Sequence, residues 1–250
     1  MSEKRIIYDN EFKVISTDKL NVLNNQFVEY TKRSLEIYKE LFKVEKLHKL
    51  EFTIFDDLEE YRDICRKERK IEPPPYSRGC FGANKVYMVI EQPIIPGTEY
   101  FYQKRASGAH EAFHIYYRDL VYKNPKNRIV WFDEGMAQFF SKERAYTNND
   151  KFAKYYSKFR NGYKPITNLN ERIQGNTQVP DDKIFSRKGI IDGYAISYLA
   201  ISYLAETKGI DYIKETMRDN KKILQLGNTI ASEMIKYYDE KMKENEIELF

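Results

Sequence analysis

Two histidines and a glutamate have the spacing of a zinc-binding helix. His110 and His114 lie four residues apart, and Glu111 directly follows the first histidine, so the segment reads H-E-x-x-H. Four residues are just over one helical turn, so both imidazoles project from one helix face toward one point. Glu111 lies about 100° around the helix from His110, where it can face a metal-activated water without binding the metal. The pattern predicts two metal ligands and a general base; two core histidines paired with carboxylates are the alternative.

A catalytic zinc ion needs a third protein ligand and one open position for water. Glu134 is the candidate, because it lies in the first turn of the next predicted helix, and nineteen residues separate it from His114. A helix end, a short turn and a returning antiparallel helix need about that length. We therefore predict one Zn²⁺ ion held by His110, His114 and Glu134. A glutamate that merely stabilises the helix N-terminus is the alternative. The next residue, Gly135, would allow close approach of a neighbouring element or a substrate.

The elements that must position these residues alternate between strand and helix in the first part of the chain. Hydrophobic alternation predicts strands within residues 5–16, 51–56 and 85–90. Apolar residues every three or four positions predict a long helix from about residue 20 to 41 and a short helix near 58–64. Three consecutive prolines and two glycines predict that the segment from Arg66 to Asn84 is a loop.

The remainder of the chain is predicted to be mostly helical. The motif helix covers about residues 103–121, the helix of Glu134 follows, a long loop runs over 163–192, and three helices close the sequence. That loop would either line a substrate cleft or be a surface excursion. We predict an α+β fold with two lobes in one catalytic domain. Residues 1–125 would form an α/β lobe with a small mixed sheet and the motif helix, and residues 126–250 a helical lobe that carries the third ligand.

Composition limits the classes of partner and compartment. The chain has 250 residues, 42% of them hydrophobic, which suits one domain or two lobes that share a core. The net charge is only +4 and the basic residues are scattered, which does not favour nucleic acid as a partner. No apolar run approaches the roughly 18 residues of a transmembrane helix, and the first residues lack the apolar core of a signal peptide. A cytoplasmic protein is predicted, or an exported one if a leader has been removed.

Three further residues are not assigned to the site. Cys65 and Cys80 form neither a C-x-x-C motif nor a four-ligand zinc pattern, so we predict that both are reduced. His48 lies between lysines before a predicted strand, and a solvated histidine is favoured over a fourth ligand. The sequence does not indicate an oligomeric state.

The motif segments His-Glu-Ala-Phe-His and Trp-Phe-Asp-Glu-Gly-Met-Ala-Gln resemble the gluzincin zinc metallopeptidases, the superfamily of thermolysin and aminopeptidase N. The compact peptidase MA-like members are the most similar. The resemblance is strong over residues 103–145 and weak over the helix at 194–209. It implies a two-lobed zincin-like fold and a hydrolase that cleaves peptide bonds, with Glu111 as the general base.

The resemblance also implies groups around the metal. Family members use a tyrosine or histidine of the carboxy-terminal half to donate a hydrogen bond to the oxyanion. No histidine follows His114, so Tyr194 is predicted in that role, with Tyr198 as the alternative. A metal-bound histidine usually donates its other nitrogen to a carboxylate or carbonyl. Asp133 and Gln138 are candidates, although thermolysin-like enzymes have an aspartate where this chain has Gln138.

Family members bind an extended peptide along an edge strand above the motif helix. The strand predicted at residues 85–90 corresponds to that place. Aminopeptidase-like members carry a glutamate there that holds the free amine of the substrate. Residues 82–85 of this chain read Gly-Ala-Asn-Lys, without a matching glutamate. Glu91 or Glu99 could supply such an anchor. An endopeptidase acting on a peptide or protein is therefore predicted. The alternative is a zinc-stabilised domain that is catalytically silent or highly selective and binds or regulates a protein.

Overall fold

The structure is a computed structural model that describes residues 3–70, 72–73, 77–142, 156, 168–170 and 187–244, apart from the side chains of 69, 187–195 and 244. Its contacts divide the chain into two compact units. Unit 1 comprises Met1–Leu120 and Phe140–Glu143, and unit 2 comprises Val121–Phe139 and Arg144–Phe250.

The described residues of unit 1 form a five-stranded mixed sheet and three α-helices. In chain order these are β1 (Lys4–Asp9), β2 (Lys13–Thr17), α1 (Asn21–Phe42), β3 (Glu51–Phe55), α2 (Leu58–Arg69), β4 (Gly79–Phe81), β5 (Lys85–Val89) and α3 (Glu99–Tyr117). The strand order is β1-β2-β3-β5-β4, with β2, β3 and β5 parallel to one another and the outer strands β1 and β4 antiparallel to their neighbours. The alternating strands and the long helix predicted from the sequence are confirmed.

Strand β4 corrects two predictions. Residues 66–84 were expected to be a loop, but Gly79–Phe81 pairs with Val86–Met88 of β5. Residues 85–90 were expected to form the edge strand, but β5 lies between β3 and β4. A three-residue strand with a glycine at its start shows too little alternation to be recognised, and its stability comes from the partner strand.

Helix α3 packs against α1 through small and aromatic side chains. A Cβ atom at Gly108 would overlap the ring of Phe27, so only glycine allows the two helices to come this close. The hydroxyl of Tyr38 donates a hydrogen bond of 3.0 Å to the Ala109 carbonyl, and its ring packs edge-on against Phe113. These contacts fix the rotation of α3 one residue before His110.

Helix α2 covers the other side of β4 and is joined to it by a disulfide bond between Cys65 and Cys80. The prediction of two reduced cysteines is therefore wrong. Once β4 forms, it carries Cys80 onto the face of the sheet that α2 covers, an alignment that a sequence separation of 15 conceals. A buried cluster surrounds the bond and contains Phe55, Tyr61, Tyr87 and Val89.

Unit 2 is helical where it is described. Its α-helices are α4 (Val130–Phe140), α5 (Arg187–Lys208), α6 (Ile210–Thr216) and α7 (Asn220–Glu244). The loop predicted to extend to residue 192 ends earlier, because α5 begins at Arg187; most of that predicted loop lies outside the described residues. Asn170 links two of the helices: it accepts a hydrogen bond from Trp131 Nε1 and donates one to the Leu224 carbonyl.

The predicted α+β class is confirmed, with a small mixed sheet and the motif helix in unit 1 and helices in unit 2. The lobe boundary at residues 125 and 126 stays a prediction. Within the described part of the chain, no helix has both the length and the hydrophobicity needed to cross a membrane.

Candidate metal centre

The motif helix α3 presents both histidines from one face. Thr98 caps the helix N-terminus by accepting a hydrogen bond of 3.2 Å from the Phe101 amide. The histidines lie on a different face of α3 from its fully buried residues. The fully buried residues are Ala109, Ala112, Phe113 and Tyr116. His110 and His114 are themselves 9% and 2% exposed, so few of their atoms reach solvent.

The two imidazoles converge on one point. Nε2 of His110 and Nε2 of His114 are 3.1 Å apart, and the rings are nearly perpendicular. Two nitrogens bound at 2.0–2.1 Å to one tetrahedral zinc ion would be about 3.3 Å apart. The observed separation suits a shared metal ion and equally an N–H···N hydrogen bond, so a third ligand has to distinguish the two.

Glu134 lies just after the first turn of α4, so the expectation that it belongs to that turn is off by one residue, and Arg128 holds its carboxylate. Arg128 Nη2 donates a hydrogen bond of 2.8 Å to Glu134 Oε1, and Arg128 Nε donates to the fully buried carboxylate of Asp133. Burial lowers the pKa of Arg128, but the charges of Asp133 and Glu134 outweigh that effect and raise the pKa above its usual value. Arg128 is therefore a permanent cation beside Glu134, and sequence reasoning did not select it.

One group of possible metal ligands occurs among the described residues, and it consists of His110, His114 and Glu134. One nitrogen of each histidine and one carboxylate oxygen of Glu134 lie within 4.8 Å of one another. Two imidazoles and a carboxylate are the ligand set of a catalytic zinc site with one open position. The chemistry of these donors therefore fits Zn²⁺. With this carboxylate beside them, the two histidines could hold a metal ion.

Glu111 lies next to the two histidines, and its carboxylate rests against β4. An ideal Cβ atom placed on Gly79 would be 2.8 Å from Glu111 Oε1. The carboxylate thus occupies the space that a side chain at position 79 would need. The position of Gly79 against Glu111 was not foreseen from the sequence, because β4 was not recognised.

Phe81 of the same strand contacts the second histidine. Its ring stacks on that of His114 with 5.8 Å between centroids and 23° between planes. The guanidinium of Arg118 also lies over the Phe81 ring, with its Cζ atom 5.9 Å from the ring centroid. Arg118 donates hydrogen bonds to the carbonyls of Gly82 and Ala83, which follow β4. Strand β4 is therefore fastened to the helix that carries the motif.

The remaining predicted residues are placed as follows. Gln138 Nε2 donates to the Glu134 carbonyl at 3.2 Å, and whether Gln138 or Asp133 orients a histidine stays a prediction. Tyr194 belongs to α5, but its side chain lies outside the described residues. Tyr198 is half-buried. Burial is the main cause that raises the pKa of Tyr238, and the neighbouring Glu206 and Tyr198 raise the pKa of Tyr238 further.

His48 lies away from this group, in agreement with its prediction as a solvated residue. It is half-exposed, its Nε2 is 3.6 Å from a carboxylate oxygen of Asp119, and its ring packs edge-on against Tyr116. Glu91, a possible substrate anchor, forms an ion pair with Arg78.

The sequence matches no protein-family model, and no curated protein matches it. The resemblance to the gluzincins therefore stays a prediction from the motif residues.

Proposed function

We propose that this protein is a zinc-dependent peptidase, and specifically an endopeptidase. The observation that carries the proposal is the grouping of His110, His114 and Glu134, with Glu111 beside them on the same helix as the histidines. A structural zinc site is normally closed by four protein ligands, whereas a catalytic site has three and keeps one position open. Three ligands and an adjacent carboxylate support catalysis over a purely structural metal.

His110, His114 and Glu134 would hold the ion. When bound, zinc supplies Lewis acidity, which lowers the pKa of water and polarises a carbonyl oxygen. Glu111 acts as the general base: its carboxylate takes a proton from the attacking water and then delivers a proton to the leaving nitrogen. Tyr194, or Tyr198, would donate a hydrogen bond to the oxyanion. Arg128 donates a hydrogen bond to the carboxylate of Glu134 and so keeps it in place.

An extended peptide is the substrate that suits β4. Among the described strands, β4 is the outermost on its side of the sheet, and an extended chain can add to such a strand by main-chain hydrogen bonds. Gly79 and Phe81 of β4 adjoin Glu111 and His114, so a peptide on this strand would pass the catalytic groups. Glu91 forms an ion pair with Arg78, so its carboxylate already has a cationic partner. This argues against Glu91 as the anchor of a substrate's free amine and supports endopeptidase action.

The disulfide bond favours one of the two predicted compartments. Disulfides persist in oxidising compartments and are rare in the cytosol. The bond between Cys65 and Cys80 therefore supports an exported protein over a cytoplasmic one.

Cleavage of a diverse peptide mixture tests the function. Zinc-loaded wild type and the Glu111→Gln variant are compared, with fragments identified by mass spectrometry. Glutamine keeps the size of the side chain but cannot take the proton, so cleavage should fall by at least about 100-fold while bound zinc stays stoichiometric. The matched control is Glu36→Gln on the exposed side of α1, which should cleave like wild type.

The fragments also separate the two modes of action, because internal cuts indicate an endopeptidase and stepwise loss from one end an exopeptidase. If wild type binds zinc stoichiometrically and cuts nothing, the peptidase proposal is overturned. A zinc-stabilised binding domain is then the better interpretation.

A further inference from the structure

Strand β4 presents different chemistry on its two faces. Side chains alternate along a strand, so positions 79 and 81 face one way and position 80 the other. Gly79 and Phe81 face α3, where they adjoin Glu111 and His114. Cys80 faces α2 and is bonded to Cys65. The short strand therefore connects the proposed catalytic groups to a covalent anchor.

Hydrogen bonds and the disulfide bond anchor the backbone of β4 at several points. The hydroxyl groups of Tyr61 and Ser77 are hydrogen-bonded at 2.8 Å, and Ser77 donates to the Gly79 carbonyl at 3.0 Å. Beyond the strand, Arg118 Nη2 donates to the Ala83 carbonyl at 2.7 Å. With the disulfide at Cys80, these bonds fix the backbone on both sides of Gly79.

The carboxylate of Glu111 lies against β4 at Gly79, the position where the strand has no side chain. A Cβ atom at position 79 would be 2.8 Å from Oε1 and 3.4 Å from Cδ of Glu111. Ordinary contact begins at 3.4 Å, so the oxygen would have to move by at least about 0.6 Å. Because β4 is anchored and the end of a glutamate side chain is flexible, the carboxylate would move and the strand would stay.

We propose that Gly79 is a positioning residue for the general base: the absence of a side chain at position 79 is what allows the Glu111 carboxylate to occupy its catalytic position against β4. The kinetic consequence of this role rests on the proposed peptidase function. The position of the Glu111 carboxylate can be tested without peptidase activity. Gly79 itself is neither a metal ligand nor a proton carrier.

The kinetic test compares Gly79→Ala with Gly82→Ala, three residues away. A Cβ atom at Gly82 would have no neighbour within 4 Å, so this variant adds the same methyl group harmlessly. Displacement of a catalytic group by about 1 Å can cost about 100-fold in rate. Gly79→Ala should therefore lower kcat by about 10- to 100-fold, with KM and zinc affinity within about threefold of wild type. Gly82→Ala should match wild type in all three.

A second measurement does not need peptidase activity. The side-chain carboxyl ¹³C resonance of Glu111 is assigned as the signal that Glu111→Gln removes, and it is followed in zinc-free protein. It should shift in Gly79→Ala and not in Gly82→Ala. A kcat unchanged in Gly79→Ala, or an unshifted resonance, would overturn the positioning role. If wild type proves inactive, the peptidase function fails but the resonance still decides whether Gly79 positions Glu111.

Discussion

Arg128 illustrates how one side chain can hold a candidate metal ligand in place without being a ligand itself. Its guanidinium contacts the carboxylates of Asp133 and Glu134, which are consecutive residues of α4. Asp133 is fully buried, so without a cation beside it an ionised carboxylate there would be costly. The guanidinium thus balances the buried charge and turns Glu134 Oε1 toward itself.

We predict that Arg128→Lys lowers zinc affinity by about 10- to 100-fold, the usual cost of losing an outer partner of a metal ligand. Lysine keeps the charge, but a single ammonium group cannot reproduce the fork that reaches two carboxylates. Affinity is measured by competition with a chromophoric chelator, and circular dichroism checks that the variant is folded.

The matched control for this substitution is Arg62→Lys, since the ion pair of Arg62 involves the exposed Glu59. That variant should bind zinc like wild type. Zinc affinity of Arg128→Lys within twofold of wild type would show that the guanidinium does not organise Glu134.

At the scale of elements, glycines set the spacing of the helices that carry the site. A Cβ atom at Gly135 would overlap the Ser197 carbonyl of α5, so α4 and α5 approach closely one residue after Glu134. This confirms the expectation that Gly135 admits a neighbouring element. In unit 1, Gly108 allows α1 and α3 the same close approach next to the motif.

The Cys65–Cys80 disulfide stabilises the packing of α2 on β4. A bond that closes a loop of about 15 residues stabilises a fold by about 3 kcal/mol, chiefly by restricting the unfolded chain. We predict that reduction lowers the free energy of unfolding by about 2–4 kcal/mol. Urea unfolding of the oxidised and reduced protein measures the difference.

The double variant Cys65→Ala/Cys80→Ala serves as the reference for this measurement. It has no bond to break, so its unfolding midpoint should not respond to the reductant, whereas that of wild type should. A wild-type midpoint that the reductant leaves unchanged would contradict a stabilising disulfide.

For the whole molecule, the candidate metal centre should link zinc binding to folding. His110 and His114 belong to α3 and Glu134 to α4, so the unfolded chain cannot present the three groups together as the folded chain does. Free zinc at 100 times its dissociation constant should raise the free energy of unfolding by about 2.7 kcal/mol. Chelator titration combined with urea unfolding gives this increment.

His114→Ala provides the comparison, because it removes one ligand and leaves the other two. The free energy of unfolding of each protein is compared with and without zinc. This comparison separates the loss of metal binding in His114→Ala from the destabilisation caused by the cavity that the smaller side chain leaves. An equal zinc increment in wild type and in His114→Ala would show that the metal binds elsewhere.

The candidate ligands could be predicted because their arrangement is mostly local. The positions of His110, Glu111 and His114 follow from the geometry of one helix, which the periodicity of neighbouring apolar residues indicates. Glu134 required only a short connection between two consecutive helices. The α+β class followed likewise from alternation and periodicity within short segments.

Features that depend on contacts distant in sequence were not predictable. Strand β4 has too few residues for a pattern and forms because β5 pairs with it, and only then do Cys80 reach Cys65 and Gly79 reach Glu111. Arg128 looked like one scattered cation among many until the start of α4 brought two carboxylates to it. Local spacing thus determined which residues can bind a metal, whereas long-range packing decided which residues hold them in position.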